Sequence, residues 1–69
     1  MPRWTVAKAL ETLKRYDLRV PFLTTSTVTN GHFHAVICDY RDLPGYTVKF
    51  AIAIYRRSND RMIARFNVV

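Results

Sequence analysis

Residues 46–69 contain the pattern that most constrains the fold of this chain of 69 residues. From Val48 onward, large apolar side chains alternate with small or polar ones, which is the period of a strand with one buried face. A polar stretch at 58–60 interrupts the alternation, and a second alternating run follows it. The pattern predicts two antiparallel strands, at about 46–57 and 61–69, joined by a tight turn.

The length of this turn follows from the hydrophobic pattern, because a slip of one residue moves every side chain of a strand to the opposite face. Turns of two or four residues would place Ile54 opposite Arg65 and mix the faces. A turn of three residues places Ile54 opposite Ala64 and predicts a left-handed backbone at Asn59 or Asp60. The predicted core face consists of Val48, Phe50, Ile52, Ile54, Met62, Ala64, Phe66 and Val68. The predicted outer face mixes cations with apolar groups and consists of Lys49, Ala51, Ala53, Tyr55, Ile63, Arg65 and Asn67.

The first half of the chain predicts a helix followed by another hairpin. Apolar residues at helical spacing predict one helix at about 5–17, with Thr5 as a favourable N-cap. Strands are predicted at about 24–29, where β-branched residues dominate, and at about 32–39. Between them lies Asn30-Gly31, the dipeptide most typical of a two-residue type I′ turn, which requires positive φ at both positions.

This two-residue turn completes the predicted fold. It places Val28 opposite Phe33, and Phe33, Ala35 and Ile37 then share one face. The length suits a single domain, 1–69, and no internal repeat or linker divides the sequence. The predicted fold is α+β: one N-terminal helix packed on one face of a three- to four-stranded antiparallel β-meander.

Basic side chains exceed acidic ones, with 11 Lys and Arg against 5 Asp and Glu and a net charge of +6. Residues 1–20 have five basic and two acidic side chains. Residues 21–42 have one basic and two acidic side chains, and residues 43–69 have five basic and one acidic side chain. Eight of the eleven cations are arginines, whose planar guanidinium binds phosphate or carboxylate through two bonds at once. The charge balance favours an anionic partner.

Four arginines lie within ten residues around the last predicted turn. Cations along a surface bind phosphates, exposed rings stack on bases, and a two-stranded ribbon fits the major groove of DNA. The leading hypothesis is therefore a small basic protein that binds DNA or RNA through this arginine-rich β-hairpin. A solvated turn whose arginines only protect the sheet edges is the alternative explanation. The predicted nucleic-acid-binding residues are Lys49, Tyr55, Arg56, Arg57, Arg61 and Arg65.

A second hypothesis is a protein–protein interaction or inhibitor module, such as a virus-encoded regulator of a host protein. On the predicted outer face, Tyr55, Ile63 and Val36 would form an apolar patch of the kind that often contacts proteins. The module would dock this face, or an edge strand, onto an acidic protein partner. A homodimer is a further alternative, because a chain this short has a small core and gains stability from association.

Catalysis and metal binding have little support in the sequence, and we expect neither an enzyme nor a cofactor. His32 and His34 share a predicted strand face with Cys38, but Cys38 lies too far along the strand to share one metal ion easily. The enzymatic alternative is a small ribonuclease with His34 as the base and Arg65 or Lys49 stabilising the phosphate. No motif fixes that assignment.

The sequence favours a cytoplasmic protein without a membrane partner. The longest apolar run, at 50–55, has the length of a strand rather than the roughly 20 residues that a membrane helix needs. The first residues include no apolar segment typical of a signal peptide. Cys38 is the single cysteine, so no internal disulfide is expected, which suits a reducing compartment.

Overall fold

The computed structural model describes residues 4–69, which form one helix followed by four strands. The helix, α1, is Val6–Arg15. The strands are β1 Ser26–Thr29, β2 Phe33–Asp39, β3 Phe50–Arg56 and β4 Arg61–Val68. All neighbouring strands are antiparallel, and their order in the sheet is β1-β2-β3-β4. These elements confirm the predicted α+β fold with an N-terminal helix and a β-meander.

The helix begins at the predicted N-cap. The Oγ1 of Thr5 accepts a hydrogen bond of 3.1 Å from the backbone N–H of Lys8. Such a cap satisfies one of the N–H groups that the first helical turn leaves free, and its loss typically costs about 1 kcal/mol. Ala9 and Leu13 form the buried side of the helix.

The helix ends in a Schellman motif, in which residues beyond the last turn satisfy its free carbonyls. Asp17 donates its N–H to the carbonyl of Lys14, and Leu18 donates to the carbonyl of Leu13, both at 2.9 Å. Asp17 has φ +59°, the left-handed conformation that turns the chain out of the helix. Leu13 and Leu18 are both buried, which supplies the apolar contact that accompanies this motif. The helix therefore stops at Arg15, before the predicted end at 17.

The core lies between α1 and one face of the sheet. Aromatic contacts attach both ends of the helix: Trp4 stacks on Phe66 with ring centroids 4.4 Å apart, and Tyr16 meets the Phe33 ring edge-on at 5.2 Å. The opposite face, which we call the outer face, has no helix or strand of residues 4–69 packed on it. The buried core residues are Ala9, Leu13, Leu18, Leu23, Ala35, Ile37, Phe50, Ile52, Ile54, Phe66 and Val68.

The pairing of β3 with β4 has the register that the hydrophobic pattern predicts along most of its length. The core pairs are Phe50–Val68, Ile52–Phe66 and Ile54–Ala64. Asp60 has φ +56°, the left-handed backbone expected in this turn. The hydrophobic pattern predicts the register here because a shift by an odd number of residues would expose the large apolar side chains of one strand.

The tip of the same hairpin differs from the prediction, because a β-bulge shifts the register by one residue after Ile54. Tyr55 pairs with Met62, so the turn consists of four residues, 57–60, instead of three. The extra residue, Ile63, packs against the core, whereas Met62 is 47% exposed and lies on the outer face. The predicted core position of Met62 and the predicted outer position of Ile63 are therefore wrong.

The first hairpin has the predicted faces but not the predicted turn. Val28 pairs with Ala35, which shifts the predicted register by two residues. Because the shift is even, each side chain keeps its face. The turn residues are Gly31 and His32, and neither has positive φ, so the type I′ turn predicted at Asn30-Gly31 is wrong.

Two predicted strands begin later than expected. Thr25 accepts a hydrogen bond from the N–H of Asp39 through Oγ1 at 3.1 Å, and Ser26 donates its hydroxyl to the carbonyl of Thr24 at 3.0 Å. These side-chain bonds compete with strand pairing, so β1 begins at Ser26 instead of 24. Likewise β3 begins at Phe50 instead of 46.

Asn30 connects the first hairpin to the end of the helix, because both the oxygen and the nitrogen of its side-chain amide form hydrogen bonds. Its Oδ1 accepts hydrogen bonds from the N–H groups of His32 and Phe33, both at 2.8 Å. Its Nδ2 donates to the carbonyl of Tyr16 at 2.8 Å and to that of Asp17 at 3.1 Å. One side chain thus holds the Gly31–His32 turn in place and ties it to α1.

We expect Asn30→Ala to lower the free energy of unfolding by about 2–3 kcal/mol, because four hydrogen bonds are lost and, being exposed or only half-buried, each contributes near the lower end of the usual net value of about 0.5–1.5 kcal/mol. Urea denaturation followed by circular dichroism measures this loss as a shift of the midpoint. The matched control is Asn59→Ala, because Asn59 accepts only one bond, from the N–H of Arg61 at 3.1 Å. Equal losses in both variants would contradict the role given to Asn30.

Candidate nucleic-acid interface

Both hairpin turns lie at one end of the sheet, which we call the turn end (residues 30–33 and 56–61). They are neighbours because β2 and β3 are antiparallel and Phe33 pairs with Arg56. A recess of about 450 Å³ lies between the two turns and is lined by Gly31, His32, Phe33, Arg56, Arg57 and Ser58. Three of the four arginines predicted to bind nucleic acid are therefore gathered at one end of the molecule.

Arg56 and Arg61 are direct cross-strand partners. Like charges directly opposite each other on neighbouring strands destabilise a sheet. No carboxylate of residues 4–69 forms a salt bridge with either arginine. The salt bridges are Arg15–Glu11, Arg19–Asp17 and Arg41–Asp39, and His34 lies beside Asp60. The positive charge of the turn end is thus available to an external anion.

Arg57 connects the two turns. Its backbone N–H donates to the carbonyl of His32 at 2.9 Å, and its Nη1 donates to the carbonyl of Asn30 at 2.6 Å. These bonds fix the direction of the guanidinium, and its other N–H groups form no hydrogen bond within residues 4–69. A guanidinium that is already oriented loses less conformational entropy when it binds an anion.

Tyr55 and Arg65 lie on the outer face, next to the turn end. Tyr55 is paired across the sheet with His34 on one side and Met62 on the other. Arg65 is paired with Ala53, two residues along β3 from Tyr55, so the two predicted site residues are diagonal neighbours. The structure therefore brings Tyr55 and Arg65 close to the arginines of the turn end.

Lys49 lies at the opposite end of the sheet. Its N–H donates to the carbonyl of Val68 at 2.7 Å, and its carbonyl accepts from the N–H of Tyr40 at 2.8 Å. Six residue steps separate it from Tyr55, which corresponds to roughly 20 Å along an extended strand. This distance exceeds the Debye length of about 10 Å at 0.1 M salt, so Lys49 is not part of the arginine cluster.

The β3–β4 hairpin does not project from the sheet. β2 pairs with β3 along its whole length, from Asp39–Phe50 to Phe33–Arg56. Four strands at about 4.8 Å spacing are about 14 Å wide between the outer strand axes, whereas the major groove is about 12 Å wide. The two-stranded ribbon expected to enter the major groove is therefore half of a wider sheet, and that mode of binding does not fit.

His34 lies beside Asp60 and Tyr55 on the outer face. Its Nε2 is 3.2 Å from Oδ1 of Asp60, and its ring centroid is 5.0 Å from that of Tyr55. The Nε2 atom is shielded from solvent and forms no hydrogen bond of good geometry. His32, in contrast, belongs to the exposed turn. A role for His34 as the base of a ribonuclease stays a prediction.

In residues 4–69, no group of three or more His, Cys, Asp or Glu side chains is placed to hold a metal ion.

Tyr40 is a residue of the outer face that the predicted site does not include. It continues the alternation of Val36 and Cys38 beyond β2, which is the signal in the sequence that indicates this position. Its ring stacks on Tyr46 with centroids 5.1 Å apart and planes 6° from parallel. A hydrogen-bonding interaction with the Cys38 thiol is the main cause that raises the pKa of Tyr40, while Arg65 acts to lower it. The phenol is thus neutral at physiological pH.

An ion pair fixes the chain that follows β2. The guanidinium of Arg41 contacts both carboxylate oxygens of Asp39, with Nη2 to Oδ2 at 2.8 Å, and the Arg41 N–H donates to Oδ1 at 3.0 Å. The same guanidinium lies 4.8 Å above the ring of Phe50. These hydrogen bonds from Arg41 lower the pKa of Asp39 below its usual range.

Comparison of the chain with protein-family models, curated proteins and solved structures finds no match. Function is therefore inferred from the residues of this chain and their arrangement. Among residues 4–69, no helix combines the length and the apolar character that a membrane span requires.

The Asp39–Arg41 ion pair predicts a specific pH dependence of stability. Because the pKa of Asp39 is lower in the folded protein than in the unfolded chain, the pair stabilises the fold fully above the unfolded value of about 3.9. This contribution is lost as the pH falls through the lowered folded pKa. We expect Asp39→Asn to lower the urea midpoint at pH 6 and to approach the wild-type midpoint at the lowest pH that still permits folding.

The control for this pH series is Asp42→Asn, which removes a neighbouring carboxylate that forms no hydrogen bond or salt bridge within residues 4–69. Its urea midpoint should stay close to that of the wild type at pH 6. A difference between Asp39→Asn and the wild type that is the same at every pH would contradict the assigned ion pair.

Proposed function

We propose that this protein is a cytoplasmic nucleic-acid-binding protein. Arg56, Arg57 and Arg61 bind phosphates at the turn end, and Arg65 and Tyr55 extend the contact onto the outer face. The observation that supports this proposal most is the direct pairing of Arg56 with Arg61 in the absence of any carboxylate partner among the described residues.

Solubility alone does not explain this pairing. Exposed Lys8 and Lys14 on the helix keep the surface charged without placing cations opposite each other. The Arg56–Arg61 arrangement costs about 0.2–1 kcal/mol relative to an uncharged pair, and a bound phosphate between the two side chains would offset that cost. A pair of arginines that weakens the fold but creates a site for an anion supports a role in binding.

The predicted mode of binding is recognition of the backbone without strong sequence preference. Phosphate contacts from arginines position a nucleic acid but do not identify its bases. The oriented guanidinium of Arg57 and the recess between the turns suit such a contact. Binding of this kind weakens steeply with salt, because each phosphate contact releases condensed counterions.

Arg61→Glu should separate stability from binding. The new carboxylate lies opposite Arg56, so we expect the free energy of unfolding to rise by about 0.2–1 kcal/mol. The same change should weaken nucleic-acid binding about tenfold or more at low salt and reduce the slope of log affinity against log salt by about 1. Urea denaturation and fluorescence anisotropy over a salt series measure the two effects on the same preparation.

Lys49→Glu is the matched control, because it makes the same charge change at the far end of the sheet. We expect its affinity and its salt slope to stay close to those of the wild type at 0.1 M salt, where charges more than about 10 Å apart are screened. Equal losses in the two variants would show that only net charge matters. If the wild type bound neither DNA nor RNA at low salt, the proposal would be wrong.

A second candidate function, docking of an acidic protein partner, is favoured by the free edge of β4. This strand of eight residues lies at the border of the sheet, and Arg61 and Arg65 project from it. Within residues 4–69, its outer side is bridged only at Val68, by Trp4. An extended acidic segment could add a strand there, with main-chain hydrogen bonds supplying affinity.

Capture from a lysate treated with nuclease separates the two functions. Proteins that remain bound after nuclease treatment, and whose binding is abolished by Arg65→Glu, would favour the protein-docking function. Partners that disappear with the nucleic acid would favour the leading proposal. Sedimentation of the protein alone over a range of concentrations tests the homodimer, which requires a mass that rises with concentration.

A further inference from the structure

The outer face contains a shallow depression of about 250 Å³. Small or short apolar side chains form its floor, because Val36 and Ala53 are cross-strand partners and so are Cys38 and Ala51. No aspartate or glutamate lines it. Its border is formed by Tyr40, Tyr55, Met62 and Arg65. A flat apolar floor with aromatic and cationic borders is suited to a planar, anionic ligand.

Aromatic rings stand at two ends of this depression. Tyr55 lies at the turn end, half-buried and supported by the ring of His34 at 5.0 Å. Tyr40 lies at the other end, supported by the parallel ring of Tyr46 at 5.1 Å. Exposed rings of this kind stack on nucleic-acid bases regardless of sequence, since every base has a π-face. Both rings lie outside the core, which is on the opposite side of the sheet.

The charges continue from this depression to the turn end. Arg65 borders the depression, and Arg61 lies on the same strand at the turn end. Neither has a carboxylate partner in the described part of the chain. A nucleic-acid strand crossing the outer face would place phosphates beside Arg65. Arg61 pairs with Arg56 on the face of Phe33, so the strand reaches it only by passing around the turn end. A polyanion complements these positive charges. A second copy of this chain, with its own net charge of +6, would be repelled by them.

We infer that the outer face seats unpaired bases, one beside Tyr55 and another beside Tyr40, so that the preferred ligand is single-stranded DNA or RNA rather than a duplex. This inference rests on the proposed function. In a duplex the base faces are covered by their stacked neighbours, and only base edges in the grooves are accessible. The sheet is too wide to reach those edges in the major groove, whereas a single strand can lay its bases on an open sheet.

Fluorescence anisotropy with a labelled strand of about 12 nucleotides, and with the same sequence as a duplex, compares the two ligands at equal salt. We expect the wild type to bind the single strand at least about tenfold more tightly. Tyr55→Ala should weaken binding of the single strand by about 5- to 150-fold, which is the range that the loss of one stacked base produces. Binding of the duplex should be unchanged in this variant.

Two variants control for folding and for ring chemistry. Tyr55→Phe retains the stacking ring and should restore affinity to within about twofold of the wild type. Phe22→Ala removes a ring that is 64% exposed but lies outside the depression, and it should bind both ligands like the wild type. If Tyr55→Phe lost as much affinity as Tyr55→Ala, the stacking role would be excluded.

Ultraviolet crosslinking tests the same site in the wild type, without any substitution. Trypsin releases residues 50–56 as one peptide, since it cleaves after Lys49 and Arg56. Tyr55 is the outward ring of this peptide because Phe50 is buried in the core. We expect the single strand to crosslink to this peptide at Tyr55. Crosslinks confined to the helix or to the 57–60 turn would overturn the inference.

The outcomes distinguish this inference from the proposed function. Equal affinity for single strand and duplex, with no effect of Tyr55→Ala, would reject the base-binding face while leaving the phosphate-binding turn end intact. Absence of binding to either ligand would reject both. Self-association through the outer face, detected by sedimentation and abolished by Ala53→Glu, would also reject the inference in favour of a second copy as the occupant.

Discussion

A single helix can cover only one of the two faces of a sheet, and this limit shapes the whole molecule. The buried residues lie between α1 and the face that carries Ile52 and Ile54. The other face is left half-exposed, with a floor of small side chains and rings at two ends. A chain of this length buries only about 60% of its unfolded surface, and residues 4–69 form no second helix that covers the other face. The outer face is therefore the face of the sheet that a ligand can reach.

The β-bulge at Ile63 determines which side chains lie on each face near the turn end. It turns Ile63 towards the core and Met62 outward, and it aligns Arg56 with Arg61. Arg57 then ties the second turn to the first. The cations of the turn end thus lie next to the rings of the outer face, with Arg56 and Arg61 on the face of Phe33 and Arg65 on the face of Tyr55. Bulges commonly re-aim side chains next to functional sites in this way.

The faces of the strands could be predicted from the sequence, because side chains alternate with a strict period of two and burial makes any odd slip costly. This explains why the pairing of Ile54 with Ala64 is correct, and why a register error of two residues at Val28 changes no face. The bulge could not be predicted, since Ile63 and Met62 are both apolar and suit either side. The distance of Lys49 from the arginines could have been predicted, because six residue steps along the predicted strand already separate it from Tyr55 by roughly 20 Å.

Chemical-shift mapping by NMR tests the central claim most directly, because it locates the nucleic-acid contact on the wild-type protein. The amide resonances of uniformly ¹⁵N-labelled protein are followed while a short single strand is added at low salt. We expect the shifts to concentrate at 30–34, 36–40, 51–57 and 61–65, with those of Lys8 and Lys14 unchanged. Shifts spread evenly over all basic residues, or the absence of shifts at saturating strand, would contradict a binding surface formed by the turn end and the outer face.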